Sequence, residues 1–226
     1  MGQNPIDVQF KEIEKIEERF LSFYIGVIEN CMEDKTSLID MALRGESCDI
    51  NFKTTDIFKE YYLEAKINKK SLNFKMWDLD GATDNRVKLP ELLKLCDLGI
   101  IVYDIENQKS LEDVNYWLQQ LKEKEVKYAI IVKNKINLHE EKKLVSGNEV
   151  QNEKLDLLGE KKQFSEDEIL AKLNLPGIRI KNITCSLKDS TKANEIFKEA
   201  IRIVYENYGE KGCCSCCCCN CCRCCY

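Results

Sequence analysis

No apolar run of about eighteen residues occurs anywhere in this 226-residue chain, so no stretch reads as a membrane-spanning helix. No basic stripe occurs either. The aromatics are not interleaved with Lys or Arg, and the formal net charge is −5, so no nucleic-acid partner is expected. The amino-terminal stretch lacks a basic segment followed by an apolar core, so a secretory signal is not expected. The globular part is therefore expected to be intracellular. Histidine is nearly absent, and the single His139 sits in a charged stretch where it should face solvent. What is present is enough chain for one α/β domain of ordinary size with appendages. Cysteine is abundant but uneven. Cys31, Cys48, Cys96 and Cys185 are scattered through the body, and ten more crowd between Cys213 and Cys225. The scattered ones read as small buried apolar residues.

The hydrophobic pattern alternates strands with helices. Ile6, Phe10, Ile13, Ile16 and Phe20 recur at spacings of three and four, which predicts an amphipathic helix over residues 1–19. Residues 23–28 read as a buried strand. A polar loop and a helix beginning near Thr36 follow. Residues 57–67 and 71–77 flank Asn68-Lys69-Lys70, a hairpin. Leu98-Gly-Ile-Ile-Val-Tyr103 is continuously apolar, as a strand buried on both faces should be. Leu111, Val114, Trp117, Leu118 and Leu121 mark one face of the next helix. Residues 128–132 and 178–183 are further strands, and Ala193, Ile196, Phe197, Ala200 and Ile201 mark a last helix. Residues 139–164 are charged and read as an insertion. Ser165-Glu-Asp-Glu168 is a capping box for a short helix. Strands alternating with helices predict a mainly parallel sheet covered on both faces.

Chemistry concentrates in five short stretches. Glu29-Asn-Cys-Met-Glu-Asp-Lys35-Thr36-Ser37 lies between a strand and a helix, the context of a phosphate-binding loop. Thr55 lies in a later polar loop, where a second hydroxyl can reach a metal. Trp77-Asp78-Leu79-Asp80-Gly81 closes a strand, with an Asp able to hold Mg²⁺ and a Gly able to approach a phosphate. Asn134-Lys135-Ile136-Asn137 and Thr184-Cys185-Ser186-Leu187-Lys188 each follow a buried strand, the side on which such sheets bind ligands.

In this order and spacing the chain resembles the Ras superfamily of small GTPases, and within it the Rab branch. The resemblance covers about residues 20–207. It implies an α/β P-loop fold with a mainly parallel, six-stranded sheet and helices on both faces. It implies GTP or GDP with Mg²⁺ as ligand, contacted by Asp34, Lys35, Thr36, Ser37, Gly81, Asn134, Lys135, Asn137, Ser186, Leu187 and Lys188. Thr36, Thr55 and Asp78 are the implied metal contacts. Effector and exchange proteins are expected on residues 44–55 and 78–90.

The chain also departs from the family. Glu29 and Asp34 replace the loop glycines, where a Cβ at positive φ costs on the order of a kcal/mol. Asn137 replaces the Asp that accepts two hydrogen bonds from guanine. Ala82 replaces the Gln that orients the attacking water, so hydrolysis should be slow. Leu187 is bulkier than the family's Ala.

Residues 208–226 form the cysteine-rich tail. A disulfide framework is unsuited to a reducing compartment. Thiolate metal binding is one alternative. The end, Arg223-Cys224-Cys225-Tyr226, is similar to the paired-cysteine ends of Rabs, which implies prenylation of Cys224 and Cys225. Two chains anchor stably. The expected function is a divergent Rab-like GTPase of vesicle and membrane trafficking on the cytoplasmic face of an intracellular membrane. The alternative is a pseudoGTPase, a membrane-anchored interaction module without turnover.

Overall fold

The structure is a computed structural model and describes residues 7–14, 22–29, 34–45, 58–67, 70–80, 86–104, 107–134, 175–185 and 189–209. In chain order the elements are β1 (Val8–Ile13), β2 (Ser22–Glu29), α1 (Asp34–Arg44), β3 (Phe58–Ile67), β4 (Lys70–Asp80), α2 (Leu89–Leu93), β5 (Leu98–Asp104), α3 (Gln108–Glu123), β6 (Tyr128–Asn134), β7 (Arg179–Cys185) and α4 (Ser190–Val204). A short π-helical stretch, Tyr205–Gly209, extends α4. The strands form one seven-stranded sheet in the order β1-β3-β4-β2-β5-β6-β7. β3 pairs antiparallel with β1 and β4, and the other four pairings are parallel. β3 and β4 form the expected hairpin, with Ile67 opposite Lys70.

The apolar run of β5 lies at the centre of the sheet because both its faces are covered. Every residue from Leu98 to Tyr103 is buried. On one face α1 and α4 pack Leu38, Ile39, Phe197 and Ile201 onto Ile25, Val27, Phe74 and Met76. On the other, α2 and α3 pack Leu93, Trp117 and Leu121 onto Ile28, Leu79 and Ile131. Alternation along each strand divides its side chains between these two cores. The side chains of Asn107 and Asp189 cap α3 and α4, accepting from Ser110 N and Lys192 N, and such caps contribute about 1 kcal/mol each. Cys96 and Cys185 are buried core residues, as expected. Burial, together with the charge of Asp189, pushes the Cys185 thiol up to about 11, so it presents no thiolate at neutral pH.

Two expectations are corrected. Residues Val8–Ile13 are a strand, not part of an amphipathic helix, and they add a seventh strand to the six expected. The sequence fits both periods, since Phe10 and Ile13 suit a helix while Val8, Phe10 and Glu12 alternate with Gln9, Lys11 and Ile13. The edge of β3 decides between them. Its row of backbone N–H and C=O groups needs partners, and a six-residue antiparallel ladder supplies them. Val8 and Phe10 turn to the α4 side of the sheet and join that core. Residues 15–19 of the expected helix, the stretch 139–164 and the helix expected from Ser165 lie outside the described residues. No helix among the described residues is long and apolar enough to cross a membrane.

Candidate functional site

Five parallel strands end along one edge of the sheet. Glu29 of β2 stands opposite Asp80 of β4. Asp104 of β5 stands opposite Asn134 of β6, which stands opposite Cys185 of β7. α1 begins five residues after β2 ends, so its amino terminus opens at this same edge. A helix amino terminus presents unpaired N–H groups and the positive end of the helix dipole. It is thus suited to a phosphate group. Asp34, Lys35, Thr36 and Ser37 form the first turn of α1, and their side chains lie outside what the structure describes.

Asp78 lies two residues short of the end of β4, opposite Val27 of β2 and Lys59 of β3. It is buried, and so is Asn134 at the end of β6. A buried carboxylate near the open end of parallel strands, at the sheet edge where α1 begins, is a chemically suitable setting for a Mg²⁺–phosphate group. The next strand-end loop is shaped by Ser110, whose Oγ accepts from Asp104 N at 3.2 Å while Ser110 N donates to Asn107. Gly81, Lys135, Asn137, Ser186, Leu187, Lys188, Thr55, Cys224 and Cys225 lie outside the described residues.

The expected backbone cost at the two replaced loop glycines does not arise. Glu29 is the last residue of a strand and Asp34 the first of a helix. Among the described residues the only non-glycine with positive φ is Glu125. The remaining objection to these two residues is their charge, not their conformation.

The sequence did not point to Tyr61. This residue of β3 is buried on the same face of the sheet as Asp78, with Lys59 Nζ 4.6 Å from its ring centroid. Burial, and then the charges of Asp40 and Asp78, push its phenol above the ordinary tyrosine range. Its hydroxyl makes no hydrogen bond among the described residues. A buried hydroxyl without a partner is a cost, so Tyr61→Phe should leave thermal stability unchanged or raise it by about 1 kcal/mol. A clear drop in melting temperature would show that the hydroxyl is satisfied.

Trp77 is nearly buried and anchors an aromatic group on the opposite face. Its indole N–H donates to Glu60 Oε1 at 2.9 Å, and Tyr24 and Phe58 lie 5.0 and 6.0 Å away between ring centroids. Phe58 remains partly exposed. Arg86, which was also not singled out from sequence, pairs with Asp113 at 2.5 Å and stacks over Tyr116 at 4.6 Å. No local pattern could have linked positions 27 residues apart.

The Ras family model matches residues 34–206. The chain belongs to the Ras family. Its sheet and flanking helices are the small GTPase P-loop fold, with β1 added at the β3 edge. Ras-family GTPases generally bind GTP and GDP with Mg²⁺ and work through effector and exchange proteins. The match begins at Asp34, one residue before Lys35, and runs through α1, Asp78, Asn134 and α4. It therefore omits the first part of the loop, where this Ras-family chain carries Glu29.

Proposed function

We propose that this small GTPase is a divergent, Rab-like switch that binds GTP and GDP with Mg²⁺. It hydrolyses GTP slowly and serves vesicle trafficking from the cytoplasmic face of an intracellular membrane. The observation that carries the nucleotide reading is one shared sheet edge. The Lys35-Thr36 turn of α1, Asp78 of β4 and Asn134 of β6 reach it in the order the family requires. Lys35 contacts the β- and γ-phosphates. Thr36, Thr55 and Asp78 would hold Mg²⁺, which would supply neutralisation of the phosphate charge. Gly81 senses the γ-phosphate. Asn134, Lys135 and Asn137 hold the base, supported by Ser186, Leu187 and Lys188. The Rab assignment is supported by Trp77, the Leu98–Asp104 strand and the terminal Cys224-Cys225 pair, on which prenyl groups anchor the protein. Phe58, together with residues 44–55 and 78–90, is the surface offered to effectors.

A second reading, a pseudoGTPase acting as an anchored interaction module, is favoured by Glu29, Asp34, Ala82 and Asn137. Titration of the purified chain with fluorescent GDP and GTP, with and without Mg²⁺, separates the two. Submicromolar, Mg²⁺-dependent binding supports the switch, and no binding at accessible concentrations leaves the module. Asn137→Asp restores a two-acceptor contact with guanine. It should tighten guanine nucleotide about tenfold, the worth of one good hydrogen bond, while xanthine nucleotide weakens. Equal affinities in both proteins would remove Asn137 from the base site. The tail is tested by the mass of the C-terminal peptide from cells, where an unmodified peptide contradicts the anchor.

A further inference from the structure

β1 makes contacts that an edge strand does not need. On its inner face Val8 is buried, and the Phe10 ring meets Phe197 of α4 edge-on at 6.4 Å. The Glu12 carboxylate accepts from the guanidinium of Arg44, the last residue of α1, at 3.3 Å. Arg44 also donates to Asp40, one turn earlier, at 2.6 Å, and that carboxylate is almost fully buried. α4 grips the same end of the helix, because Asn194 Nδ2 donates to the Ala42 carbonyl at 3.1 Å. The carboxyl-terminal turn of α1 is thus held by β1, by α4 and by its own Asp40. The outer face of β1 is different. There Lys11 pairs with Glu64 at 3.0 Å across the ladder to β3.

An α-helix of eleven residues is a stiff rod about 16 Å long. Fixing one end and its axis fixes where the other end lies. At that other end are Lys35 and Thr36. We propose that β1 is a positioning strand for the phosphate-contacting helix. Glu12 holds α1 directly through Arg44, and Phe10 holds it through Phe197 of α4, the helix that also grips Ala42, so nucleotide retention depends on the amino-terminal strand. This rests on the nucleotide reading above. A half-exposed ion pair alone contributes little. The grip comes from the six-residue ladder with Val8 and Phe10, and Glu12 directs it at Arg44.

The test uses the full chain in four forms: wild type, Glu12→Lys, Phe10→Ala and Lys11→Ala. Two quantities are read, the amide hydrogen exchange of residues 34–44 against that of residues 108–123, and the release rate of fluorescent GDP. Glu12→Lys places a cation against Arg44, and Phe10→Ala removes the contact to Phe197. Both should speed exchange in α1 about fivefold, a change of the size expected when local packing loosens, and leave α3 unchanged. GDP release should rise about threefold or more in the same two variants. Lys11→Ala should change neither. Unchanged α1 exchange in both variants overturns the proposal, as does a rise of equal size in α3. Faster α1 exchange with unchanged GDP release also overturns it. If Phe10→Ala does not fold, Glu12→Lys still decides. A wild-type chain that binds no GDP defeats the nucleotide reading, and the exchange arm then decides separately whether β1 holds α1.

Discussion

Lys35→Ala will weaken GTP and GDP binding by about a hundredfold while leaving the fold intact. Truncating one partner of a desolvated, hydrogen-bonded charge pair costs about 2–5 kcal/mol, because the phosphate charge is left without its counter-charge. The fold should not suffer. Residue 35 is in the first turn of an eleven-residue helix, and Ala is the best helix former. The apolar residues of α1 that build the core, Leu38, Ile39 and Ala42, are untouched. Melting temperature should therefore stay nearly constant while affinity collapses, a separation that a purely structural lysine would not produce. Lys35→Arg keeps the charge but not its compact ammonium, so it should recover only part of the affinity. Fluorescent nucleotide titration measures all three proteins. Equal affinities for wild type and Lys35→Ala would mean that the first turn of α1 is not a phosphate site in this chain.

Gly99→Val will destabilise the domain by about 3 kcal/mol, the upper part of the range for overpacking a well-filled core. Gly99 lies in β5, between Gly26 of β2 and Ala129 of β6. The missing side chain at Gly99 lets α3 approach the sheet closely, because Leu121 occupies the space a Cβ would take. A Cβ at Gly99 would stand 2.6 Å from Leu121 Cδ1 and 3.3 Å from its Cγ. Leu121 is fully buried beside Trp117 and Leu118, so its whole side chain must move within a filled core. For a domain of this size the melting temperature should fall by about 6–12 °C. Adding Leu121→Ala should recover part of the loss, because the two changes share one space and do not add independently. A melting temperature within about 2 °C of wild type would show that α3 can move off the sheet at little cost. The smaller contact at Gly26, whose Cβ would meet Cys96 Sγ at 2.9 Å, concerns α2 in the same way.

The central strands were legible because they are buried on both faces and so need no alternation. Leu98 to Tyr103 and Tyr128 to Val132 can hardly be anything but interior. α3 was legible because Leu111, Val114, Trp117, Leu118 and Leu121 repeat at helical spacing on one face. The family was legible because its chemistry lies in short segments that each follow a strand, in a fixed order. Residue type alone misjudges Glu29 and Asp34: a phosphate loop usually places glycines there, whereas this chain places them in a strand and a helix, where a Cβ is ordinary. Tyr61 gave no signal beyond alternation, because its proximity to Asp40 and Asp78 depends on α1 lying over the β3–β4 hairpin.

The amino-acid sequence by itself determined the family and the order of the strands from β2 onward with the helices α1, α3 and α4 between and after them. These are local properties: apolar runs, helical spacing, and polar segments following them. Only the tertiary structure decided the state of Val8–Ile13, whose pattern suits a helix and a strand alike. The unpaired edge of β3, and the space for Phe10 against Phe197, settled it as a strand. The same long-range packing brought Glu12 to Arg44 and so joined the amino terminus to the helix that carries Lys35. Backbone hydrogen bonding at a sheet edge is a demand that one segment places on another, and no window of sequence contains both.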